Sequence, residues 1–316
     1  MMKYIRNYKK YYDRQSRSHS QTCLRPVIFL PISSIAIDFK SCGKFLYTRF
    51  KRMVKGNAYR EQGIVALAEI LGTATLVLIG CMGCVGGFLN LPIPSHIQIT
   101  LNFGFAVMIV IQCFGHLSHA HVNPAMTLVS VVLGIKTVRE GLVYFVAQTI
   151  GAILGFGLLK AVTPAGNLRA SANASLDTFC VTDLHSDVSP IQGLLVEGIA
   201  TAILALIACA VWDPRNARNT DSTPVKFGMS VTALAISCGP YTGCSMNPVR
   251  TLAPAIWNNY WGHHWVYWLG PFGGALLASL AYKVFFSVQN NDNEDMNLPE
   301  NVALNSVDTH QAKVIT

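Results

Sequence analysis

Apolar residues are concentrated in six long segments of the chain, a pattern typical of a protein that crosses a membrane several times. The segments cover about residues 64–88, 97–117, 138–161, 190–212, 226–240 and 263–286. A membrane-spanning helix needs roughly 20 predominantly apolar residues, and the fifth segment reaches that length when it is extended slightly at either end. We therefore predict an all-α membrane protein with six transmembrane helices.

Charged residues are scarce and lie mostly outside these segments. They form only 13% of the chain, whereas soluble domains carry about 25%. Residues 1–62 hold 14 Lys and Arg against three acidic residues, which predicts a basic cytoplasmic N-terminal tail because cytoplasmic flanks are rich in positive charge. Six spans return residues 289–316, a polar C-terminal tail, to the same side. The formal charge of +8 is thus interpreted as a signal of membrane orientation, and no nucleic-acid partner is expected.

The part between the tails, residues 63–288, contains an internal repeat. The sequence of residues 68–74 resembles that of residues 196–202, and each half later contains an Asn-Pro pair. Repeat one covers about residues 63–161 and repeat two about residues 190–288. Because each repeat has three spans, the second copy is inverted in the membrane, and inverted repeats place a binding or conduction site at their shared midplane.

The two Asn-Pro pairs lie in apolar segments that are too short to span a membrane, 118–134 and 239–257. Asn caps a helix and Pro is favoured at its first position, so Asn123-Pro124-Ala125 and Asn247-Pro248-Val249 each predict the start of a short helix, over about residues 125–133 and 249–253. An isolated pair would indicate an ordinary capped loop helix. Two pairs at matching places of inverted halves indicate re-entrant half-helices whose N-termini meet mid-membrane. Irregular backbone at that depth requires a protein environment or a water-filled pore.

These two half-helices predict a pore that passes neutral molecules. Helix N-termini carry partial positive charge, so two of them at the pore centre disfavour cations, hydronium included. The side-chain amides of Asn123 and Asn247 can donate hydrogen bonds to a passing oxygen atom. Neutral hydrogen-bonding molecules should pass, and protons and ions should not.

The two segments 118–127 and 241–250, SHAHVNPAMT and YTGCSMNPVR, resemble the two signature loops of the aquaporins, and the resemblance covers about residues 63–288. It implies six spans, two half-helices, one pore per subunit, a homotetramer and no cofactor or bound metal. It also implies that Glu69 and Glu197 are buried carboxylates that brace the signature loops. Such a protein is an integral membrane protein, expected in the plasma membrane, and not an enzyme.

The resemblance further implies a narrow selectivity filter formed by Phe103, Ala235, Cys244 and Arg250. Aquaporins that select water resemble one another in having His where this chain has Ala235, and loss of the ring widens the constriction. This departure resembles the entomoglyceroporins, an insect branch of the family, and implies passage of glycerol and urea as well as water. Two features argue against passage of glycerol. Thr251 follows the filter Arg where glycerol channels resemble one another in having Asp, and Tyr267-Trp268 in the last span is similar to the framework of water-selective members.

Four other functions remain alternatives. A gated ion channel would need charged rings or a carbonyl filter, whereas the pore-side charge that can be placed is a single Arg. A strictly water-selective channel would share every feature except solute breadth, and an ion-coupled secondary transporter would need Glu69 or Glu197 as a relay. An enzyme is disfavoured because His119 and His121 have no third ligand or nucleophile beside them.

Two expectations concern single side chains. Asn173 begins a triplet that fits a glycosylation acceptor. The cysteines show no zinc-like spacing and predict no disulfide framework, so those in apolar stretches are interpreted as small packing residues: Cys81, Cys84, Cys113, Cys209 and Cys238.

Overall fold

The computed structural model describes residues 39–86, 88, 94–168 and 178–286, with side chains from residue 59 onward. The tails predicted at 1–62 and 289–316 therefore lie largely outside the described residues, as does Asn173. The chain divides into two units, residues 1–55 and 56–316. The described part of the first unit is helical backbone from residue 39, and apart from that backbone everything below concerns the second unit.

The described residues form six long helices and two short ones. They are α1 (Phe39–Met82), α2 (His96–Ser118), α3 (Pro124–Val132), α4 (Val138–Val162), α5 (Pro190–Trp212), α6 (Thr223–Thr242), α7 (Pro248–Asn258) and α8 (Val266–Phe285), with single 3-10 turns at Ala165–Asn167 and Pro214–Asn216. This confirms the predicted fold class. The first helix begins at Phe39 rather than near residue 64, within the stretch predicted as a tail, and ends at Met82 rather than near residue 88.

Among the described residues, four helical segments are long and apolar enough to cross a bilayer by length and composition alone: Tyr59–Met82, His96–Ser118, Val138–Val162 and Pro190–Trp212. The remaining long helices, α6 and α8, have 20 residues each. At about 1.5 Å per residue such a helix is about 30 Å long, which matches the hydrocarbon thickness of a bilayer.

Local sequence signals set the helix ends. Thr137 with Glu140 and Ser189 with Gln192 form capping boxes at the starts of α4 and α5, which satisfy backbone N–H groups that have no partner within the helix. Helix α7 was expected to end at about residue 253, before Pro254. Instead it continues to Asn258 and ends at Asn259, whose φ of 53° is left-handed. An interior proline loses one backbone donor and crowds the carbonyl four residues earlier, which the packing of α7 tolerates here, whereas the left-handed residue ends the helix.

Glycines bring the helices of each repeat into close contact. In repeat one, a methyl group on Gly151 of α4 would overlap the backbone of Ile70 in α1. In repeat two, a methyl group on Gly274 of α8 would overlap the backbone of Gly198 in α5. Small residues at such crossings let membrane helices approach closely, and the matching contacts in both halves agree with an inverted repeat.

Large apolar side chains cover the outer faces of several helices. More than half of the surface is exposed for Leu67, Leu142, Leu154, Leu195 and Leu277, which come from α1, α4, α5 and α8. In water such a surface would be unfavourable, so these faces suit lipid or another protein subunit.

The structure contains one disulfide among its described residues, between Cys81 and Cys180. The prediction that the chain has no disulfide framework, with Cys81 as a simple packing residue, was therefore wrong. Cys81 lies at the end of α1 and Cys180 in the connector between α4 and α5, and the fold brings these distant segments together. Of the cysteines whose side chains the structure describes, five are free: Cys84, Cys113, Cys209, Cys238 and Cys244.

Candidate functional site

The N-termini of the two short helices meet through their capping asparagines. Asn123 caps α3 and accepts a hydrogen bond from the Ala125 backbone at 2.8 Å. Asn247 caps α7 and accepts one from the Val249 backbone at 3.2 Å. These bonds fix the orientation of each amide, because the oxygen is turned toward its own helix and the nitrogen away from it.

Each asparagine also donates to the loop of the opposite repeat. Asn123 Nδ2 donates to the Met246 carbonyl at 2.8 Å, and Asn247 Nδ2 donates to the Val122 carbonyl at 2.9 Å. Both acceptor residues have left-handed backbones, with φ of 53° at Met246 and 43° at Val122. One hydrogen of each amide is thus used between the repeats, and the second is left for another acceptor.

Two buried carboxylates hold the loops that precede the asparagines. Glu69 accepts from the backbone N–H groups of His121 at 3.0 Å and Val122 at 2.8 Å. Glu197 accepts from the corresponding groups of Ser245 at 2.8 Å and Met246 at 2.9 Å. Both acids have no exposed surface. The contacts give each loop a second attachment in addition to the asparagine pair.

A hydroxyl and a tyrosine complete each attachment. Ser118 Oγ donates to Glu69 at 2.6 Å, and Thr242 Oγ1 donates to Glu197 at 2.7 Å. Tyr144 and Tyr267 donate their phenols to the carbonyls of those same two residues, at 2.7 Å and 2.8 Å.

One contact of the first loop has no counterpart in the second. Gln148 donates to Glu69 at 2.8 Å and to Thr127 Oγ1 at 3.0 Å. Counting from the paired tyrosines, the corresponding position in repeat two is Pro271, which cannot donate. Sequence reasoning missed Gln148, although a glutamine inside an apolar helix is a recognisable signal for a buried hydrogen-bonding role.

Arg250 is buried and has two defined neighbours. Its guanidinium lies over the Phe103 ring, with Cζ 4.7 Å from the ring centroid, and Nη1 donates to the Cys180 carbonyl at 3.0 Å. Stacking on an aromatic face and donation in the guanidinium plane are favourable for arginine. Sequence reasoning missed Cys180, because its connector shows no periodicity and no motif.

Ala235 and Cys244 complete the set of four residues predicted for the filter. Both are largely buried, with 8% and 6% of their surfaces exposed. Cys244 contacts the Leu234 carbonyl through Sγ at 3.5 Å, one residue from Ala235 along α6. The structure thus brings all four residues to the lining of one cavity.

This cavity has a volume of about 310 Å³ and is also lined by Asn123 and Asn247. Thr223 begins α6 and Gly243 caps its other end, and both line the cavity, so the cavity follows the helix for about 30 Å. It therefore has the length needed to connect the two sides of a bilayer. Of the pore signature, Pro124, Ala125, Pro248 and Val249 do not line it; Val249 is buried against α1 and α4.

The two histidines beside the first signature serve packing at the other end of the cavity. The His121 ring lies 4.7 Å from the Tyr144 ring and 5.1 Å from the Trp212 ring, measured between centroids. Within the part of the chain that the structure describes, no group of three His, Cys, Asp or Glu side chains could hold a metal ion.

Charged side chains of the connectors make local contacts away from the cavity. The Arg215 guanidinium donates to Asp213 at 2.6 Å and 2.8 Å and lowers the pKa of that carboxyl well below its usual range. Asp183 accepts from the Tyr260 phenol and raises the pKa of Tyr260. Asp213 also accepts from the Tyr282 phenol of α8 at 2.9 Å. Each acid thus joins a connector to a neighbouring element, and neither lines the cavity.

Comparison with known proteins places this architecture in a family. Residues 60–282 match the family described as Major intrinsic protein. The chain is 36% identical to aquaporin-4 of Mus musculus over 222 residues, which cover 69% of this chain and 66% of that protein. It is 37% identical to aquaporin-2 of Homo sapiens over 217 residues, covering 68% of this chain and 76% of that protein. The chain thus spans slightly less than two thirds of the length of the mouse protein.

A solved structure supports the fold. The X-ray structure of the aquaglyceroporin from Plasmodium falciparum superposes with a TM-score of 0.60 at 21% sequence identity, covering 70% of this chain and 96% of that chain. At that identity the likeness concerns architecture alone. With the family match over residues 60–282 and the paired asparagine half-helices, the chain belongs to the Major intrinsic protein family.

Proposed function

We propose that this protein is a passive membrane channel for water and small uncharged solutes, glycerol and urea among them, and that it excludes protons and ions. The observation that carries the proposal is the cavity that follows α6 and is lined by Asn123, Asn247 and Arg250. A route of this kind needs no bound cofactor and no chemical step, so we propose a channel and not an enzyme.

Exclusion of cations follows from the charges around the cavity. The N-termini of α3 and α7 meet at the two asparagines, and both direct partial positive charge there. Arg250 adds a full positive charge that lies in the lining. The second amide hydrogens of Asn123 and Asn247 can both donate to one permeating oxygen, which turns its lone pairs toward them and interrupts a chain of proton transfers.

Solute breadth depends on Ala235. Its methyl group leaves space where a histidine ring would narrow the filter and add a donor. Phe103 and Ala235 then offer apolar surface to the carbon atoms of a small polyol, while Arg250 binds hydroxyl or carbonyl oxygens. We therefore propose that Ala235 widens the filter and that the chain resembles the entomoglyceroporin branch in this respect.

A strictly water-selective channel is the second candidate, favoured by Thr251 after the filter arginine. Thr251 Oγ1 donates to Ser245 Oγ at 2.7 Å and lies 2.7 Å from Thr182 Oγ1. It is buried and is not part of the cavity lining. Thr251 could therefore influence solute choice only indirectly, through the second signature loop. Ala235, which lines the cavity, is thus favoured as the residue that determines the range of permeating solutes.

We further propose a homotetramer in the plasma membrane with cytoplasmic termini. The exposed leucines on α1, α4, α5 and α8 offer surface for neighbouring subunits and lipid. With a cytoplasmic N-terminus, the end of α1 and the connector before α5 lie outside the cell. The Cys81–Cys180 disulfide joins these two segments and supports this orientation, because disulfides persist in oxidising compartments.

Stopped-flow permeation into proteoliposomes, with water, glycerol and urea measured in parallel, tests the proposal. The Ala235→His variant should retain water flux and lose most glycerol flux. Ala233→His is the matched control, because Ala233 lies on the same helix with its side chain exposed. Unchanged glycerol flux in Ala235→His would contradict the filter assignment. Water flux without glycerol flux in the unaltered protein would favour the water-selective alternative, and saturable flux that follows a proton gradient would favour a transporter.

A further inference from the structure

The connector between α4 and α5 supplies the hydrogen-bond acceptor that holds Arg250. Cys180 has a φ of 56°, a left-handed conformation that residues with a Cβ rarely adopt. Its neighbour Phe179 is buried, and the Phe179 carbonyl accepts from Asn258 at 2.9 Å. The backbone around Cys180 is therefore held by several contacts, and its carbonyl receives Nη1 of Arg250 at 3.0 Å.

The end of α1 positions the opposite side of the same filter. Asn102 Nδ2 donates to the carbonyls of Ile79 at 2.7 Å and Gly80 at 3.2 Å. The next residue, Phe103, lies against Gly80 so closely that a methyl group there would overlap its ring. Residues 79–80 thus fix the ring on which Arg250 stacks.

The disulfide connects these two supports. Cys81 follows Gly80 directly and is bonded to Cys180, so one covalent link joins the segment behind Phe103 to the residue whose carbonyl holds Arg250. We propose that the Cys81–Cys180 disulfide positions Arg250 in the filter and makes solute permeation sensitive to thiol reductants. The proposal rests on the channel function proposed above and goes beyond it, because it adds two positioning residues and a control of selectivity.

The chemical step is a two-electron reduction. A dithiol such as dithiothreitol gives two electrons and two protons, the sulfur–sulfur bond breaks, Cys81 and Cys180 become thiols, and the dithiol closes to its own cyclic disulfide. Without the bond, the connector is free to move away from α1, and Arg250 loses its fixed acceptor. The guanidinium then turns into the lumen, which hinders glycerol more than water because glycerol is larger.

A third cysteine determines how the variants must be chosen. Cys84 Sγ lies 4.0 Å from Cys180 Sγ, and Cys84 is free. In a Cys81→Ser variant, Cys84 could form the disulfide instead and conceal the effect. The Cys81→Ser/Cys180→Ser double variant removes both partners and keeps the backbone carbonyl of residue 180. Cys113→Ser, which removes an exposed free thiol elsewhere, is the matched control.

The experiment measures glycerol and water permeability of full-length protein in proteoliposomes before reduction, after reduction and after reoxidation, with maleimide labelling to count thiols. We expect reduction to lower the glycerol-to-water permeability ratio about threefold, a change that loss of part of one charged hydrogen bond can produce, and reoxidation to restore it. Cys113→Ser should respond in the same way. The double variant should have the low glycerol-to-water permeability ratio before any reduction, and the reductant should not change it.

Two newly labelled thiols with an unchanged permeability ratio would overturn the proposal. So would a double variant that retains the ratio of the oxidised protein. An unreduced protein with no permeability above protein-free liposomes would instead refute the channel function itself. If the unreduced protein conducts water and no glycerol, solute breadth fails, and the same comparison is made on water permeability alone: a reversible decrease on reduction supports the disulfide's role, and no change overturns it.

Discussion

Gly274 in α8 lies so close to Gly198 in α5 that a single added methyl group would overlap the Gly198 carbonyl. The adjacent Gly273 has open space at the same point, with nothing within 4 Å. Two neighbouring glycines on one helix therefore differ only in whether they form the helix crossing, which provides a direct test of the packing.

The Gly274→Ala variant should lose about 1–3 kcal/mol of unfolding free energy, the usual cost of overpacking. Gly273→Ala should be neutral or gain up to about 1 kcal/mol, because alanine favours helix. Unfolding by titration with SDS in mixed micelles measures both. Equal effects in the two variants would contradict the close crossing of α5 and α8.

The crossed asparagine bonds predict that the two repeats depend on each other. Asn123→Asp replaces the amide that donates to Met246 with a carboxylate, which leaves a buried carbonyl unpaired at a cost of about 1–3 kcal/mol. Asn247→Asp should have a similar effect through Val122. The midpoint temperature of thermal unfolding and the water permeability should both fall in each variant. A stable, fully permeable Asn123→Asp protein would show that the crossed bond to Met246 is unimportant.

Replacing the buried carboxylate of Glu69 should cost more stability than replacing a carboxylate that only caps a helix. Glu69→Gln turns an amide toward groups that already donate, so at least one loop contact should be lost, with about 1.5–3 kcal/mol of stability for a hydrogen bond to a charged group. Glu140→Gln, at the exposed capping box of α4, should cost less than about 1 kcal/mol because glutamine also serves in that position. Equal destabilisation, measured by unfolding in detergent, would argue against the bracing role.

Mercurial block should involve two thiols. Cys244 and Cys84 both line the cavity, whereas Cys238 does not, and Cys81 is oxidised. Cys244→Ser should weaken inhibition of water flux by mercuric chloride, and Cys84→Ser/Cys244→Ser should abolish it. Stopped-flow swelling before and after mercurial treatment measures the effect, with Cys113→Ser as control. Full inhibition of the double variant would point to a thiol outside the cavity.

Much of the fold could be predicted because its signals are local or repeated. The apolar segments predicted α2, α4, α5, α6 and α8 to within a few residues, whereas α1 begins at Phe39 and not near residue 64. Asn-Pro marked the starts of α3 and α7, since capping depends on adjacent residues. The assignment of Glu69 and Glu197 to the two loops depended on the repeat and on family resemblance. Their contacts agree with that role, which stays a prediction until it is measured.

The features that escaped prediction depend on contacts between distant segments. Cys180 lies 99 residues from Cys81 in a connector without periodicity, and cysteine pairing cannot be deduced from spacing alone. Gln148 reaches Glu69 across 79 positions. The continuation of α7 past Pro254 depends on its surroundings, because proline propensity predicts an end there that tertiary packing overrides.

The amide pair at the centre of the cavity has a kinetic consequence. Asn123 and Asn247 are each held by their own helix and by the opposite loop, so neither side chain has to rotate when a molecule arrives or leaves. Two stationary donors need no rearrangement at the moment of passage. The rate of transit should then depend only weakly on temperature, much as diffusion in bulk liquid does. Each molecule that passes should also meet the same two amide donors in the same orientation.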